Sequence, residues 1–236
     1  LKFQPHVIHD DSGVGTQITL KDANRDGKID VLSVSKRGVH LLTQFPTASI
    51  PRSNHPREAP DAVANRSIAI KDSIGGFRPA WTDSEAMNLD FENGSTVDWQ
   101  TTGGAFFNQP IQNPTGASDK SHIHQQGEYW IGSSEIGTDN AMGTMTSRAF
   151  ILQHPWISFL IGGGESQETR VELIDAGTGQ VLHTEHGRND DSLKRVSLNA
   201  EAWKGKAIRI RLIDENRGSW GHISFDDFRT HPVDSR

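Results

Sequence analysis

Residues 170–175 read RVELID and residues 207–214 read AIRIRLID. In both stretches charged and aliphatic side chains take turns. Only an extended chain sorts such a pattern onto two faces, because successive strand side chains point in opposite directions. These segments therefore demand a sheet with one face on a core and the other in water, as antiparallel sheets commonly have. Similar short segments recur from residue 85 onward: AMNLDFE, GAFFN, EYWIGSS, GTMTSRAFIL, WISFLIGG, TRVELIDA, QVLHTEHG, LKRVSLN, AIRIRLIDE and HISFDDF. Clusters of Gly, Asn, Asp and Ser separate them. That spacing predicts an all-β sandwich, not βαβ units. The 23 glycines in 236 residues fit a turn-rich chain, and a helical turn is expected only at 200–206, AEAWKGK.

The alternation sets the organisation. Residues 1–45 read as a short β-hairpin appendage, with Ile18 and Leu20 before an acidic loop and Val31, Leu32 and Val34 after it. Residues 46–84 carry Pro46, Pro51, Pro56, Pro60 and Pro79 and read as a linker, since proline forbids helix and discourages a central strand. SIAI at 67–70 is allowed there as a short edge strand. Residues 85–236 form the sandwich domain.

The acidic loop, DANRDGKID at 22–30, sets Asp22, Asn24, Asp26 and Asp30 at alternate or near-alternate positions, with Gly27 after the third. Side chains at loop positions 1, 3 and 5, the Lys28 carbonyl at 7 and Asp30 at 9 supply the oxygens that calcium takes. Ser33 stands where an EF-hand needs its bidentate Glu, and strands flank the loop in place of helices, so an EF-hand is excluded. TLKDANRDGKIDVLSVSKRGVHLL resembles the calcium-loop hairpin of FG-GAP or VCBS-type propeller repeats. The resemblance implies a structural Ca2+ held by Asp22, Asn24, Asp26, Lys28 and Asp30. It also implies missing domains of a parent chain, because one blade cannot close a propeller.

A second resemblance covers residues 87–231. NLDFENGSTVDW, GEYWIGSSE, GTMTSRAFIL, ISFLIGGG, ETRVELID and RIRLIDENRGSWGHISFDDF, in that order, resemble a jelly-roll module (galactose-binding-like or concanavalin-like) of secreted multidomain bacterial proteins. A similar module accompanies family 32 glycoside hydrolases. The resemblance implies a non-catalytic β-sandwich that binds polysaccharide or oligosaccharide outside the cytoplasm. It also implies a second calcium at the seam of the first and last strands, among Asp90, Glu92, Asp226 and Asp227. An arginine such as Arg229 would serve the same carboxylates, and strand alternation expects one of Asp226 and Asp227 to face solvent.

Sugars are held by aromatic faces and planar polar groups. Candidates are Trp130, Glu135, Arg170, Arg188, Trp220 and His222, with Tyr129 and Trp156 as further aromatics. Trp220 lies between glycines in RGSWGHI. Trp99, Trp156 and Trp203 read as core. His222 could instead bond Glu135 or Asp214, and Glu172 could join a ladder with Arg209 and Arg211. HIH at 122–124 could take zinc with Glu128, but the third His that such a site favours is missing at motif spacing, so it reads as a loop. GGG at 162–164 reads as a bend or a close backbone approach.

The formal charge of −6 gives no electrostatic case for nucleic acid. With no cysteine, disulfides, thiolate metal sites and cysteine nucleophiles are excluded. No stretch reaches the ~18 apolar residues of a membrane span. The chain starts at Leu1 and shows no signal peptide, which suggests a processed protein or a piece of a longer one. No G-x-S-x-G, H-E-x-x-H or phosphate loop occurs. Two rivals to a sugar-binding module remain. One is a structural spacer or protein-interaction module. The other is a glycoside hydrolase with a carboxylate pair drawn from Asp214, Glu215 and Glu135.

Overall fold

The structure, a computed structural model, describes residues 17–21, 29–35, 38–42, 68–112, 123–135 and 140–235. Those residues form strands and one short 3-10 turn at Glu201–Trp203, inside the expected helical turn. The chain divides into two compact units, Leu1–Arg57 and Glu58–Arg236. The first contains an antiparallel sheet of β1 (Gln17–Lys21), β2 (Asp30–Ser35) and β3 (Gly38–Leu42) in that order. Lys21 pairs with Asp30 in register, so the acidic stretch joins two hydrogen-bonded strands. Asp22, Asn24, Asp26 and Lys28 lie outside the described residues.

The second unit is a jelly-roll β-sandwich. Its strands are β4 (Ala69–Lys71), β5 (Phe77–Thr82), β6 (Glu85–Ala86), β7 (Trp99–Gly103), β8 (Ile111–Gln112), β9 (Tyr129–Gly132), β10 (Gly143–Ser147), β11 (Phe150–Ile151), β12 (Trp156–Gly163), β13 (Thr169–Asp175), β14 (Val181–Glu185), β15 (Asp190–Asn199), β16 (Ala207–Asp214) and β17 (Ile223–His231). One sheet runs β14-β13-β16-β10-β7, with β11 beside β16. The other runs β15-β12-β17-β5-β4, extended by β6, β8 and β9. The alternating segments behave as their pattern demands. Val171 and Leu173, and Ile208, Ile210 and Leu212, enter the core between the sheets. Phe159, Phe225 and Phe228 meet them from the other sheet, with Phe159 and Phe225 centroids 5.6 Å apart, and Phe91 joins them from the segment between β6 and β7. Each fully buried side chain of this size contributes about 1.5–3 kcal/mol.

Four expectations need correction. Residues 77–82, expected in the linker, form β5, while β4 at the sheet edge overlaps the edge strand allowed at 67–70. Pro79 sits within β5 because Ala80 N–H, not its own nitrogen, serves the Ile68 carbonyl on the β4 side. The Pro79 nitrogen faces the other side, where pairing with β17 is confined to Phe77 opposite Thr230. GAFFN is a turn, and the strand is the preceding WQTTG. The segment 87–92, expected as a strand, is not one; it turns Met87, Leu89 and Phe91 inward and meets β17 through the Phe91–Phe225 ring pair and a hydrogen bond from Phe228 N–H to Leu89 O at 3.2 Å.

The fourth correction concerns alternation in β17. Its register with β12 shifts between Ser158 and Leu160, which face Arg229 and Asp226. Asp227 takes φ 51°, a left-handed conformation that aspartate tolerates better than most residues. This bulge places one extra residue between Phe225 and Phe228, so both phenylalanines reach the core. Neither aspartate then faces solvent: Asp226 is 0% and Asp227 1% exposed.

Candidate functional site: a loop rim and an adjoining carboxylate seam

Three loops gather at one end of the sandwich, 164–168 after β12, 186–189 after β14 and 215–222 after β16. Glycine makes the gathering possible. A Cβ on Gly163 would lie 2.4 Å from His222 O, and one on Gly164 would lie 2.2 Å from Trp220 O. The GGG run is thus a close backbone approach, and Gly164 N–H donates to His222 O at 2.9 Å. Across the rim Glu165 N–H donates to Asn189 Oδ1 at 3.1 Å, and Asn189 Nδ2 donates to Glu165 Oε2 at 3.2 Å. Gln167 Nε2 and His186 Nε2 are 3.3 Å apart.

Trp220 is half-buried on this rim with φ 60°, an uncommon conformation for so bulky a residue. Its ring centroid lies 5.7 Å from that of His222, at 36°. His222 is nearly buried and its Nε2 is 3.1 Å from Asp191 Oδ1. Arg188 is exposed beside His186, on a small cleft with Asp190, Ser192 and Lys194. Arg170 stands next to the rim on β13 with its guanidinium engaged. It donates to Glu172 at 2.7 Å, to Gln167 O at 2.6 Å and to Glu215 at 3.3 Å. Arg211 donates to Glu172 from the facing register position, so the charged ladder exists with Arg211. Burial pushes the Glu172 carboxyl up, and Arg170 and Arg211 outweigh it, leaving it below the usual range.

Of the six sequence candidates, Trp220 and His222 meet on the rim, Arg188 lies on its 186–189 loop and Arg170 borders it. Trp130 does not join them. It is 0% exposed, packed with Ile123, Leu160 and Leu193 in a second apolar cluster. Glu135 lies half-buried in the turn after β9, its stem against Gly132. Asp214 is 1% exposed and presents no carboxylate to a substrate. Asp191, Glu165 and Asn189 were not among the sequence candidates. Glu165 directly follows the glycine run, whereas Asn189 and Asp191 reach it only through the fold.

The seam carboxylates separate into two kinds. Asp90 pairs with Arg78, and Asp227 with Arg195 and Arg229, the latter at 2.8 Å. Glu92 and Asp226 instead bind main chain. Glu92 accepts from Glu128 N–H and Tyr129 N–H, each at 3.0 Å. Asp226 Oδ2 accepts from Gln126 N–H at 2.7 Å, while the buried Oδ1 lacks a hydrogen-bond partner. Burial first, and the charges of Asp227 and Glu92 with it, push the Asp226 carboxyl well above the usual range. Among the described residues no three His, Asp or Glu side chains converge closely enough to hold a metal by themselves. A cation at Glu92 and Asp226 would draw its other oxygens from main chain or water. The orphaned Oδ1 fits that use.

No family model matches the chain. The "Putative glycosyl hydrolase ecdE" of Aspergillus rugulosus is 30% identical over 141 residues, covering 58% of this chain and 20% of that protein. The chain thus spans about a fifth of the length of that relative. Among solved structures, TmCBM61 in complex with beta-1,4-galactotriose is 18% identical, covering 60% of this chain and 93% of that one, with a TM-score of 0.40. A cyclase from Fischerella sp. TAU is 18% identical over 64% and 94%, at 0.41. The C-terminal extracellular domain of Mycobacterium tuberculosis EmbC is 15% identical over 69% and 63%, at 0.40. No helix among the described residues is long and apolar enough to cross a membrane.

Proposed function

We propose that the sandwich is a non-catalytic carbohydrate-binding module of a larger, extracytoplasmic, glycosyl hydrolase-like protein. The observation that carries this reading is the rim, where three loops present the half-exposed indole of Trp220 beside His222, Asp191, Glu165 and Asn189. An indole face stacks on the C–H face of a sugar ring, and planar carboxylate and amide groups satisfy neighbouring hydroxyls. Arg188 extends the polar surface. The partial relationship to a glycosyl hydrolase supports the accessory role. The rim is tested by isothermal titration with a panel of soluble oligosaccharides. Trp220→Ala is expected to weaken binding at least about tenfold, the value of one lost stacking contact of about 1.4 kcal/mol. Equal affinity of the variant and the parent for every ligand removes the rim from the account and leaves a spacer role.

Calcium belongs to the same proposal. One ion would be held at the seam by Glu92 and Asp226, where it would neutralise two neighbouring carboxylates and tie the last strand to the 123–128 loop. A second would be held by Asp22, Asn24, Asp26, Lys28 and Asp30, in a loop whose flanking strands are paired at Lys21 and Asp30. Both would be structural, in line with the hard oxygen ligands offered. The propeller-type origin of that hairpin remains part of this proposal. It requires further domains of a parent chain.

A further inference from the structure

The outer face of the larger sheet, away from the rim loops, carries an open hollow of about 310 Å³. Its floor follows from strand register. Ser158 on β12 lies between Ser197 on β15 and Arg229 on β17, and Trp156 lies between Asn199 and His231. Ile157 and Phe159 point into the core, so Trp156 and Ser158 share the outer face. Arg195 reaches across from β15 and donates to Asp227 O at 3.1 Å and to Ser158 Oγ at 3.3 Å. Ser158 Oγ and His231 Nε2 are 2.8 Å apart.

Both walls are fixed. One is the β4–β5 turn with Ile74, Gly75 and Gly76. The buried Arg229 holds it, donating to Gly75 O at 2.5 Å and pairing with Asp72 at 3.4 Å. The other wall is Gln126, anchored through its N–H to Asp226. Arginines and aspartates alternate one for one from the exposed Arg195 inward, in the order Arg195, Asp227, Arg229, Asp72, Arg78, Asp90. Their charges cancel. The hollow therefore offers a rigid set of donors and acceptors without net charge, beside the 60% exposed aliphatic side chain of Ile74. Its volume is at the lower end of small-molecule sites.

We infer that this hollow is a second binding site, separate from the rim, for a neutral, hydroxyl-rich ligand such as one or two rings of an uncharged saccharide. A uronate would find Arg195 already committed to Asp227, and an ammonium would find Asp227 enclosed by two arginines. A neutral polyol can share Ser158, Arg195 and Gln126 without breaking any of these pairs, and can lay an apolar face on Ile74. The inference rests on the carbohydrate reading but uses none of the rim residues.

The test is NMR titration of the whole chain with neutral glucose-, galactose- and fructose-based trisaccharides, and with a trigalacturonate as the charged probe. Amide shifts of Gly75, Gly76 and Gln126 report the hollow, and those of Gly164 and His222 report the rim. A neutral trisaccharide is expected to move the hollow amides in the parent and equally in Trp220→Ala. Ile74→Lys, at an exposed position, should weaken that response about threefold or more, and Arg195→Gln should do the same. Immobile hollow amides with every neutral probe overturn the inference even if the rim responds. So does a stronger response to trigalacturonate. A response at the hollow with a silent rim upholds this site and refutes the rim.

Discussion

Asp226 carries one carboxylate oxygen bonded to Gln126 N–H and one buried oxygen without a hydrogen-bond partner. Its raised pKa means that the folded chain holds the proton more tightly than the unfolded chain. The resulting stabilisation is complete below the unfolded value, about 3.9, and is lost as pH rises through the folded one. At neutral pH without metal the unfolded chain ionises this group freely while burial opposes its ionisation in the fold, so the group weakens the fold. Asp226→Asn should raise metal-free stability at pH 7.5 by about 1–3 kcal/mol in urea titration, because it removes a buried carboxyl whose ionisation the fold opposes. The same variant should lose the melting shift that calcium gives at the seam. An unchanged calcium response in the variant would remove Asp226 from the ligand set. His154 and His231 run the other way. Burial lowers both, helped by Lys204 at His154 and by Arg195 and Arg229 at His231. Between their depressed values and about 6.5 the unfolded chain binds more protons, so stability rises with pH across that window and then levels off. In the Asp226→Asn background, melting measured from pH 5 to 7.5 should show this rise. A flat profile contradicts the histidine assignment.

At the level of elements, β17 joins the core to the seam, and its bulge decides which residues do what. Phe225 and Phe228 both reach the core because Asp227 is inserted in a left-handed conformation. Phe228→Ala should cost about 3–5 kcal/mol in chemical denaturation, as large aromatic truncations in a packed core do. A loss below about 1 kcal/mol would show that Phe228 is not packed as described. The bulge also marks where the sequence stops being readable. β13 and β16 follow from alternation, because one face of each meets a single core and the period of two survives. An inserted residue in FDDF shifts that period by one, and no composition signal announces it. Trp130 and Leu160 escaped for a related reason. The outer face of the larger sheet has its own small apolar cluster, so their strands are buried on both sides and alternation says nothing about which side is wet. Pro79 misled because its effect depends on which edge its nitrogen faces, and that is settled by pairing partners far along the chain. At the rim, Trp220 and His222 were visible as a glycine-flanked pair. Asp191, Glu165 and Asn189 were not, since only three loops meeting in space make them a group.

For the whole molecule, the chain supplies a disulfide-free β-sandwich whose polar features divide by place. Charged ladders such as Arg170, Glu172 and Arg211 cover the outer face of the smaller sheet. The seam carries the carboxylates suited to a structural ion, and the loop rim carries an indole in an unusual backbone conformation. Addition of a chelator to protein prepared in calcium should lower the melting temperature of the full chain, and an unaltered melt would remove calcium from the account. The reading as a carbohydrate-binding module is tested most directly by isothermal titration of soluble oligosaccharides into the parent and into Trp220→Ala, both verified as folded by circular dichroism. The account predicts saturable binding of at least one neutral oligosaccharide that drops about tenfold or more in the variant. Heat-silent titrations with every oligosaccharide, or an affinity indifferent to Trp220, would contradict it.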